Sequence, residues 1–382
     1  MNRNTQLALY DRIQVHRNNR QGTDQAAASM RIPVTDYTSH AQHEADSAML
    51  NSTPGIVGLS GLIPEPGCYA AVTLGTAPVV ITRKEDGTAG AFLNVCRHRG
   101  APVASGCGHA KRLVCPYHGW SYSLNGELAA RRRGEYFDDI EQEGLVALPV
   151  HEEHGLIWVS PDPEGSIDPD PLHGAGLELG PFDLASYRLF DGQQLNKSFN
   201  WKLGVETFCE TYHLHSLHAA TLNPWVHSDY SLFDEFGPHG RMVVTRRSIE
   251  DLEQGGGSES PDFDLVPHAT LLWFLVPNTV LLFQQDHVEL FSSRPGRHPG
   301  ETALNVSMYI PKDSAEPDAH WQSNFKILMD VTEKEDFSIA TSIQQGFQSG
   351  AQAEIVFGRN EPGLQHYHRC AVQASKSAQS ST

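Results

Sequence analysis

Two short loops that each combine one Cys with one His constrain this chain more than any other feature of its sequence. The first is Cys-x-His at Cys96 and His98, and after a gap of sixteen residues the second is Cys-x-x-His at Cys115 and His118. A Pro follows Cys115 and Gly119 follows His118, as is typical of a tight loop. Two thiolates and two imidazoles presented from two loops predict a metal centre.

The mixture of ligand types favours an iron–sulfur centre. Thiolates suit iron–sulfur chemistry, and a [2Fe–2S] cluster in which two His replace two Cys on one iron has a raised reduction potential. Zinc is the alternative because it also accepts two Cys and two His, but zinc fingers use Cys pairs and His pairs. A competing Cys-x-His at Cys107 and His109 leaves only five residues before Cys115, which is little chain to wrap a cluster.

Length and charge limit the function classes. A chain of 382 residues can form two or three domains, and its formal net charge of −18 argues against nucleic-acid binding, which needs clustered cations. The N-terminal residues contain no apolar signal segment, and no apolar run is long enough to span a bilayer. Six scattered Cys fit a reducing compartment. We therefore expect a cytoplasmic protein without a membrane segment.

The residue composition and pattern change along the chain. Residues 55–163 contain short β-branched runs separated by Gly and Pro, which predicts a small all-β domain, and an acidic, Pro-rich stretch at 162–171 suits a linker. The remainder has a helical segment at 202–217 and an amphipathic run at 320–347. Five strand candidates lie between these two segments: 242–249, 269–276, 279–283, 288–292 and 302–310. Strands followed by a long helix predict an α+β domain with an antiparallel sheet.

A second group of metal-binding side chains lies in the predicted helix. Three His and two Glu fall within residues 206–218, and two His with one carboxylate form the facial triad of non-haem iron oxygenases. On a regular helix His215 and His218 are about 60° apart, whereas His213 and His218 are about 140° apart. Helix geometry alone therefore prefers His215, and it leaves His213 as the alternative.

The sequence around both Cys/His loops is similar to one known family. The stretches AFLNVCRHRGAPV at 91–103 and LVCPYHGWSYSLNGEL at 113–128 resemble the Rieske domains of ring-hydroxylating oxygenase alpha subunits. Respiratory Rieske proteins carry an additional disulfide between these loops, whereas this chain has Ala101 and Tyr117 at the equivalent places. This difference favours the oxygenase branch.

The resemblance implies a fold and a domain plan. An all-β Rieske domain at 55–163 would be followed by a helix-grip catalytic domain of the START/Bet v 1 type, with an antiparallel sheet, at 164–382. Residues 1–54 would be an N-terminal arm that packs with the catalytic domain. The whole chain is then of the α+β class.

The resemblance also implies the metal ligands. The cluster ligands are Cys96, His98, Cys115 and His118. The iron motif of the family is similar to a pattern in this chain: Glu210, two residues, His213, four residues, His218. The resemblance therefore selects His213 and His218 as ligands. A π-type bulge would have to distort the helix between them. His215 then becomes a packing residue.

The carboxylate ligand has to come from another part of the chain. In TEKEDF at 332–337, the Glu-Asp pair and a Gln eight residues after the Asp resemble the C-terminal helix of the family, which selects Asp336. Glu335, Glu333 and Asp330 are the alternatives. If these carboxylates have no functional role, the acidic run is simply the solvent-exposed face of a helix.

A terminal oxygenase subunit is the function that the resemblance implies. A flavin-containing reductase, in some members with a ferredoxin, would pass electrons from NAD(P)H to the cluster and then to Fe(II), which activates O₂ beside a small organic substrate such as an aromatic acid or a methylated amine. A head-to-tail homotrimer, with or without a beta subunit, would bring the cluster of one subunit to the iron of the next. Glu210 would bridge His98 or His118 to His213 across that interface.

Three points stay open at the level of sequence. Many members have Asp at the position of Glu210, and those acting on carnitine and betaine-like substrates have Glu, which favours monooxygenation. Trp225, Phe274 and Phe283 are pocket candidates, but a role as plain core residues is favoured for all three. The rival functions are a Rieske electron-transfer protein without oxygenase activity and a zinc-stabilised binding protein. The residues after the linker, with their own His and carboxylates, argue against the first rival.

Overall fold

The computed structural model of the chain describes residues 1–19, 22–141 and 143–380, without the side chains of 377–380. The α-helices in these ranges are α1 (Arg3–Asn19), α2 (Thr35–Thr38), α3 (His40–Ser52), α4 (Gly176–Leu179), α5 (Leu203–Glu206), α6 (Ile249–Gln254), α7 (Asp318–Val331), α8 (Phe337–Gln348) and α9 (Pro362–Ser380). A π-helical turn at Thr332–Asp336 joins α7 to α8.

The strands of the same ranges are β1 (Met30–Pro33), β2 (Gly55–Leu59), β3 (Cys68–Leu74), β4 (Ala77–Arg83), β5 (Ala89–Leu93), β6 (Cys107–His109), β7 (Leu113–Val114), β8 (Ser121–Tyr122), β9 (Leu128–Ala130), β10 (Val150–Glu153), β11 (Leu156–Val159), β12 (Tyr187–Lys197), β13 (Val226–Phe236), β14 (His239–Arg246), β15 (Ala269–Leu275), β16 (Thr279–Phe283), β17 (Val288–Pro295), β18 (Thr302–Pro311) and β19 (Glu354–Phe357).

The chain forms two compact units. The larger unit consists of Met1–Ala48, Leu172–Phe182 and Leu189–Thr382, and the smaller unit consists of Met49–Pro171 and Asp183–Arg188. This division differs from the predicted boundaries at residues 54 and 163, because the acidic, Pro-rich stretch stays with the smaller unit. There the Ser160 hydroxyl and the Gly165 amide both donate to the Asp162 carbonyl oxygen, each at 3.0 Å, which turns the chain directly after β11.

A seven-stranded antiparallel sheet forms the centre of the larger unit, in the order β12-β18-β17-β16-β15-β14-β13. The helix formed by α7, the π turn and α8 contributes Trp321, Phe325 and Phe337 to the same apolar core as Phe291 and Leu304 of the sheet. The predicted α+β class, with a helix packed on an antiparallel sheet as in a helix-grip fold, is confirmed. The five predicted strands correspond to β14–β18, with ends that differ by at most three residues.

Sequence reasoning missed β12 and β13, which are the two edge strands of this sheet. Both are rich in polar residues, and most residues of β12 are exposed or half-buried. An edge strand is paired on one side only and has less apolar surface to bury, so the alternation of apolar and polar residues that marks central strands is weak in it.

The predicted helix at 202–217 is wrong in its extent. Only α5 and a 3₁₀ turn at Tyr212–His215 are helical. Between them the Glu210 carboxylate accepts hydrogen bonds from the amides of Tyr212 and His213, which takes these amides out of a helical ladder. The chain is therefore irregular where a π bulge was predicted, and the π turn lies instead in the C-terminal helix.

The N-terminal segment of the larger unit is joined to its core by a strand pair and an ion pair. β1 pairs with β19 in antiparallel register, Met30 opposite Phe357. The side chains of Asp46 and Lys202 are 1% and 0% exposed and form an ion pair, and Trp201 Nε1 donates to the same carboxylate at 2.8 Å. Burial alone would raise the pKa of Asp46, but Lys202 holds it below its ordinary value. The pair therefore stabilises the fold at neutral pH and loses this effect as the pH falls through the lowered pKa.

Three small antiparallel sheets form the smaller unit: β5-β4-β3-β6, β10-β11-β2 and β7-β8-β9. Cys96 follows β5, and Cys115 lies in the connection between β7 and β8. Both Cys side chains belong to one apolar cluster with Val80, Phe92 and Leu113. The predicted all-β nature of this region agrees with the sheets. Over all described residues, no helix is long and apolar enough to cross a membrane.

We predict that Lys202→Met will destabilise the larger unit by about 3 kcal/mol, because it leaves the buried Asp46 carboxylate without its counter-ion. The measurement is urea denaturation followed by far-UV circular dichroism. Lys326→Met is the matched control, since Lys326 forms an exposed ion pair with Asp330 on α7 and should leave the transition unchanged. Equal midpoints for the two variants would contradict the structural role given to the buried pair.

Candidate functional site

The two Cys/His loops of the smaller unit close in the same way. The amides of Gly100 and Gly119 donate to the carbonyl oxygens of Cys96 and Cys115, at 2.9 and 3.0 Å, and each Cys amide donates to the residue that follows the Gly, at 2.8 Å in both loops. The two Gly have φ values of +78° and +74°, a conformation that L residues with a side chain rarely adopt. Each loop therefore favours Gly at the fourth position after its Cys, because the backbone there adopts a positive φ.

The four predicted cluster residues lie at one place in the smaller unit. Cys96 and Cys115 are free thiols and are 2% and 3% exposed, whereas His98 and His118 are half-buried with ring centroids 4.6 Å apart. His118 Nδ1 is buried and has no hydrogen-bond partner among the described residues. A buried imidazole nitrogen without a partner is costly unless it binds something, so this donor set fits an inorganic cluster.

Neighbouring side chains support both loops. The Tyr122 hydroxyl lies 3.3 Å from Cys96 Sγ and accepts the Arg97 amide at 3.0 Å. Burial and the contact with Cys96 raise the pKa of Tyr122 well above its ordinary value, so the hydroxyl stays protonated and can donate a hydrogen bond to the sulfur. The His98 ring is stacked on Trp120 at 4.8 Å with an interplanar angle of 7°.

The competing pair, Cys107 and His109, lies on β6, which pairs with β3. Cys107 is exposed, and His109 Nε2 contacts the Pro66 carbonyl oxygen at 3.0 Å. Neither side chain belongs to the apolar cluster that contains Cys96 and Cys115. The structure therefore gives this pair no part in the loop site.

A second site, in the larger unit, brings His213, His218 and Asp336 together. One donor atom from each lies within 4.8 Å of the others. Asp336 Oδ1 is 3.0 Å from His218 Nε2 and 3.7 Å from His213 Nε2. Two imidazoles and one carboxylate at these separations fit a single metal ion with further positions open, as in the facial triad.

The free side of each imidazole is held by a glutamate. His213 Nδ1 is hydrogen-bonded to Glu210, and His218 Nδ1 is hydrogen-bonded to Glu335 at 2.6 Å. A carboxylate on Nδ1 fixes the tautomer that carries its proton there and leaves the Nε2 lone pair directed at the metal position. The two glutamates thus orient both rings toward Asp336.

The π turn explains how two consecutive carboxylates reach one ring. Glu335 contacts Nδ1 of His218 and Asp336 contacts its Nε2, the latter at 3.0 Å. Adjacent residues of a regular α-helix point about 100° apart, whereas the wider π turn alters their directions. The irregularity in the C-terminal helix therefore lies at the position that serves the site.

The local charge is strongly negative. Burial alone would lower the pKa values of His213 and His218, but the hydrogen bonds that Glu210 and Asp336, respectively, accept from these rings raise both above the ordinary value for His. The carboxylates that stabilise a proton on these rings also stabilise a metal cation between them. Electrostatics and geometry thus agree on a cation site.

The other candidates from the sequence lie elsewhere. His215 is exposed and outside the group, so the helix-based preference for it was wrong. Glu333 pairs with Lys197, and Asp330 pairs with Lys326 and Lys334 at the surface. Glu335 belongs to the site through His218 Nδ1.

Two adjoining cavities, of about 220 and 400 Å³, lie beside Asp336. Their shared walls are formed by Phe208, Leu222, Arg246, Leu282, Gln284 and Asp336. Trp225 lines the smaller cavity, so the favoured core reading was wrong for it, whereas Phe274 is a buried core residue and Phe283 packs on Phe182. Sequence reasoning did not single out Arg246 or Gln284, because neither stands in a recognisable motif.

Two family models match the chain. The Ring hydroxylating alpha subunit (catalytic domain) matches residues 184–376, and the Rieske [2Fe-2S] domain matches residues 56–135. The first match alone spans half of the chain, and it includes the second site.

Curated relatives and solved structures agree with these matches. The oxygenase subunit of glycine betaine monooxygenase from Chromohalobacter salexigens is 28% identical, over 77% of this chain and 74% of the relative. Choline monooxygenase of Spinacia oleracea is 27% identical, over 89% of this chain and 77% of the relative. The quaternary ammonium Rieske monooxygenase CntA in complex with L-carnitine has the same fold, with a TM-score of 0.76, 21% identity, and coverage of 92% of this chain and 96% of that one.

Proposed function

The chain belongs to the family of ring hydroxylating alpha subunits, and from this membership we propose how its two sites divide the work of a terminal Rieske oxygenase. The proposed [2Fe–2S] ligands are Cys96, His98, Cys115 and His118. The proposed ligands of the mononuclear iron are His213, His218 and Asp336. The observation that carries the proposal is the convergence of two imidazole Nε2 atoms on Asp336 while each Nδ1 is held by a glutamate.

When bound, the cluster and the mononuclear iron supply single-electron transfer and activation of O₂. The protein supplies the arrangement around them. Glu210 and Glu335 keep the imidazoles in the metal-binding tautomer, and the apolar walls at Phe208, Leu222 and Leu282 exclude water from the side of Asp336 where a substrate enters. Exclusion of water strengthens the electrostatic interactions inside the cavity.

Electrons come from outside the chain. We propose a flavin-containing reductase, in some systems with a ferredoxin, as the route from NAD(P)H, and a cytoplasmic location for the system. We also propose a homotrimer in which Glu210 bridges to the cluster His of a neighbouring subunit; a beta subunit is left open. The structure of a quaternary ammonium Rieske monooxygenase, which gives insights into inter-subunit electron transfer in that protein, has the same fold, with a TM-score of 0.75.

Apolar surface near both sites supports this assembly. Glu210 and His213 line a cavity of about 630 Å³ together with Ile339, Ile343 and Val356, whose side chains are exposed. Beside the loop site, Val114 and Tyr117 are also exposed. Contiguous apolar side chains at the surface are typical of protein–protein contacts.

The proposed reaction is hydroxylation or oxidative demethylation of a small organic substrate, an aromatic acid or a methylated amine. The related enzymes are named for glycine betaine, choline and naphthalene. The smaller cavity, of about 220 Å³, suits a compact substrate. An electron-transfer role without oxygenation is disfavoured, because the catalytic family model covers the entire second site.

We predict about three iron atoms and two acid-labile sulfides per chain in the natively purified protein. Cys115→Ser should remove the Rieske electron-resonance signal and about two irons. Cys107→Ser, at an exposed Cys outside the loop site, is the matched control and should keep both. Zinc in place of iron, or iron without sulfide, would refute the cluster.

We predict that His213→Ala will abolish turnover and lower the iron content by about one atom per chain, with the cluster spectrum unchanged. His215→Ala is the control, since this exposed residue of the same turn should bind iron normally. The measurements are iron analysis, the visible spectrum and substrate-dependent NADH and O₂ consumption with a compatible reductase. Loss of the cluster spectrum in His213→Ala would show that the two sites are misassigned.

We predict that Glu210→Gln will slow reoxidation of the reduced cluster by roughly 10-fold or more while iron remains bound, since an outer carboxylate orients a ligand rather than binding the metal. Stopped-flow spectroscopy of the cluster under single turnover measures this rate. Iron content provides the control. An empty iron site in Glu210→Gln would mean that Glu210 is itself a ligand.

A further inference from the structure

Arg246 places an unpaired cation in the wall of both cavities beside Asp336. It ends β14, and its Nη2 donates to Gln284 Oε1 at 2.6 Å. Its Nε is buried without a hydrogen-bond partner, and within the described ranges it forms no ion pair with a carboxylate. The half-buried Arg246 therefore lines the cavity with part of its hydrogen-bonding capacity unused.

Another arginine of the same strand shows how a buried structural arginine is stabilised in this fold. Arg241 is 4% exposed and its guanidinium contacts both Glu178, at 3.1 Å, and Asp234, at 2.8 Å. Withdrawal of a guanidinium from water is costly unless carboxylates compensate for it. Arg246 forms no such direct ion pair among the described residues. Burial lowers its pKa, and the carboxylates of Glu289 and Asp286 offset this only in part, by electrostatic attraction without a direct contact. Arg241 and Arg294 also have a buried, unpartnered Nε, so this feature alone does not distinguish Arg246; unlike Arg246, neither of them lines these cavities.

Asp286 and Glu289, two acidic residues of the larger cavity, already have imidazole partners. His287 contacts Asp286 through Nδ1 at 2.6 Å and Glu289 through Nε2 at 3.2 Å, and His320 contacts Asp286 at 2.8 Å. Burial alone would lower the pKa of His287, but these carboxylates raise it to about 9, so the ring is protonated at neutral pH. Asp286 and Glu289 are thus held by imidazoles rather than by Arg246.

We infer that Arg246 and Gln284 bind a carboxylate of the substrate, so that the enzyme acts on small organic acids. This inference rests on the proposed oxygenase function and narrows its substrate class. The planar guanidinium matches a carboxylate through two N–H donors, and the Gln284 amide can donate a further hydrogen bond.

The position of this anion site orients the substrate. Arg246 and Asp336 line the same cavities, and Leu272, Leu282 and Val244 provide apolar contact in the smaller one. A substrate whose carboxylate is held at Arg246 directs its methyl or ring carbon toward Asp336 and the two imidazoles. A cation that has no carboxylate, such as choline, is repelled by Arg246. Glycine betaine and aromatic acids satisfy both ends of the cavity.

The test compares pairs of compounds that differ in the carboxylate: glycine betaine with choline, and benzoate with benzyl alcohol. Binding to the holoenzyme is measured by isothermal titration calorimetry, independently of turnover. We expect each carboxylate to bind at least 10-fold more tightly than its partner. Arg246→Gln should remove this preference, with a loss of roughly 10- to 150-fold in carboxylate affinity. Arg247→Gln, at the exposed neighbour that binds the Asn223 carbonyl oxygen, is the matched control and should keep it.

Kinetic and spectroscopic measurements separate a binding role from a structural one. For any compound that is turned over, Arg246→Gln should raise KM far more than it lowers kcat, leave the cluster spectrum and iron content unchanged, and be partly rescued by Arg246→Lys. Equal binding of the partners, a preference that survives in Arg246→Gln, or no binding of either carboxylate at millimolar concentration would each overturn the inference. Failure of the oxygenase proposal is distinguishable, since it appears as missing iron or sulfide in the wild-type protein.

Discussion

The site in the larger unit depends on one arrangement of charges: two imidazoles that share Asp336 on their inner side and are each held by a glutamate on their outer side. Neither half of it fits regular secondary structure. The segment with His213 and His218 leaves the helical path where Glu210 binds backbone amides, and the segment with Glu335 and Asp336 widens into a π turn. Both segments lose part of the regular backbone hydrogen bonding of a helix, and both lie where the metal-binding atoms have to converge.

Much of the fold, and of the first site, could be predicted because the information is local. The cluster loops each contain their Cys, His and Gly within five residues, and the central strands β14–β18 alternate or are continuously apolar. Prediction failed where tertiary contacts decide the outcome. The edge strands β12 and β13 lack an apolar pattern, and the 202–217 segment has helical composition but is bent by Glu210. Arg246 is recognisable only from the cavity that it lines.

The cavities beside Asp336 are lined by charged groups, among them Asp336 and Arg246, and by apolar side chains such as Phe208, Leu222 and Leu282. Around His213 and His218 the carboxylates create a negative potential that suits a metal cation, whereas Arg246 provides a positive one that is not cancelled by a direct ion pair. In a region of low dielectric constant such a separation of charge persists over several ångströms. The cavity is thus electrostatically directional, and this property belongs to the protein rather than to the metal chemistry that it hosts.

The pairing of β1 with β19 has a consequence for biosynthesis. Residues 30–33 leave the ribosome more than 300 residues before their partners at 354–357, while the segments of the smaller unit emerge in between. Domains generally fold as units during translation, so the smaller unit can acquire its sheets while the first 48 residues still wait for the C-terminal part of their own unit. Strand β1 is therefore synthesised early but is among the last segments to reach its native partner.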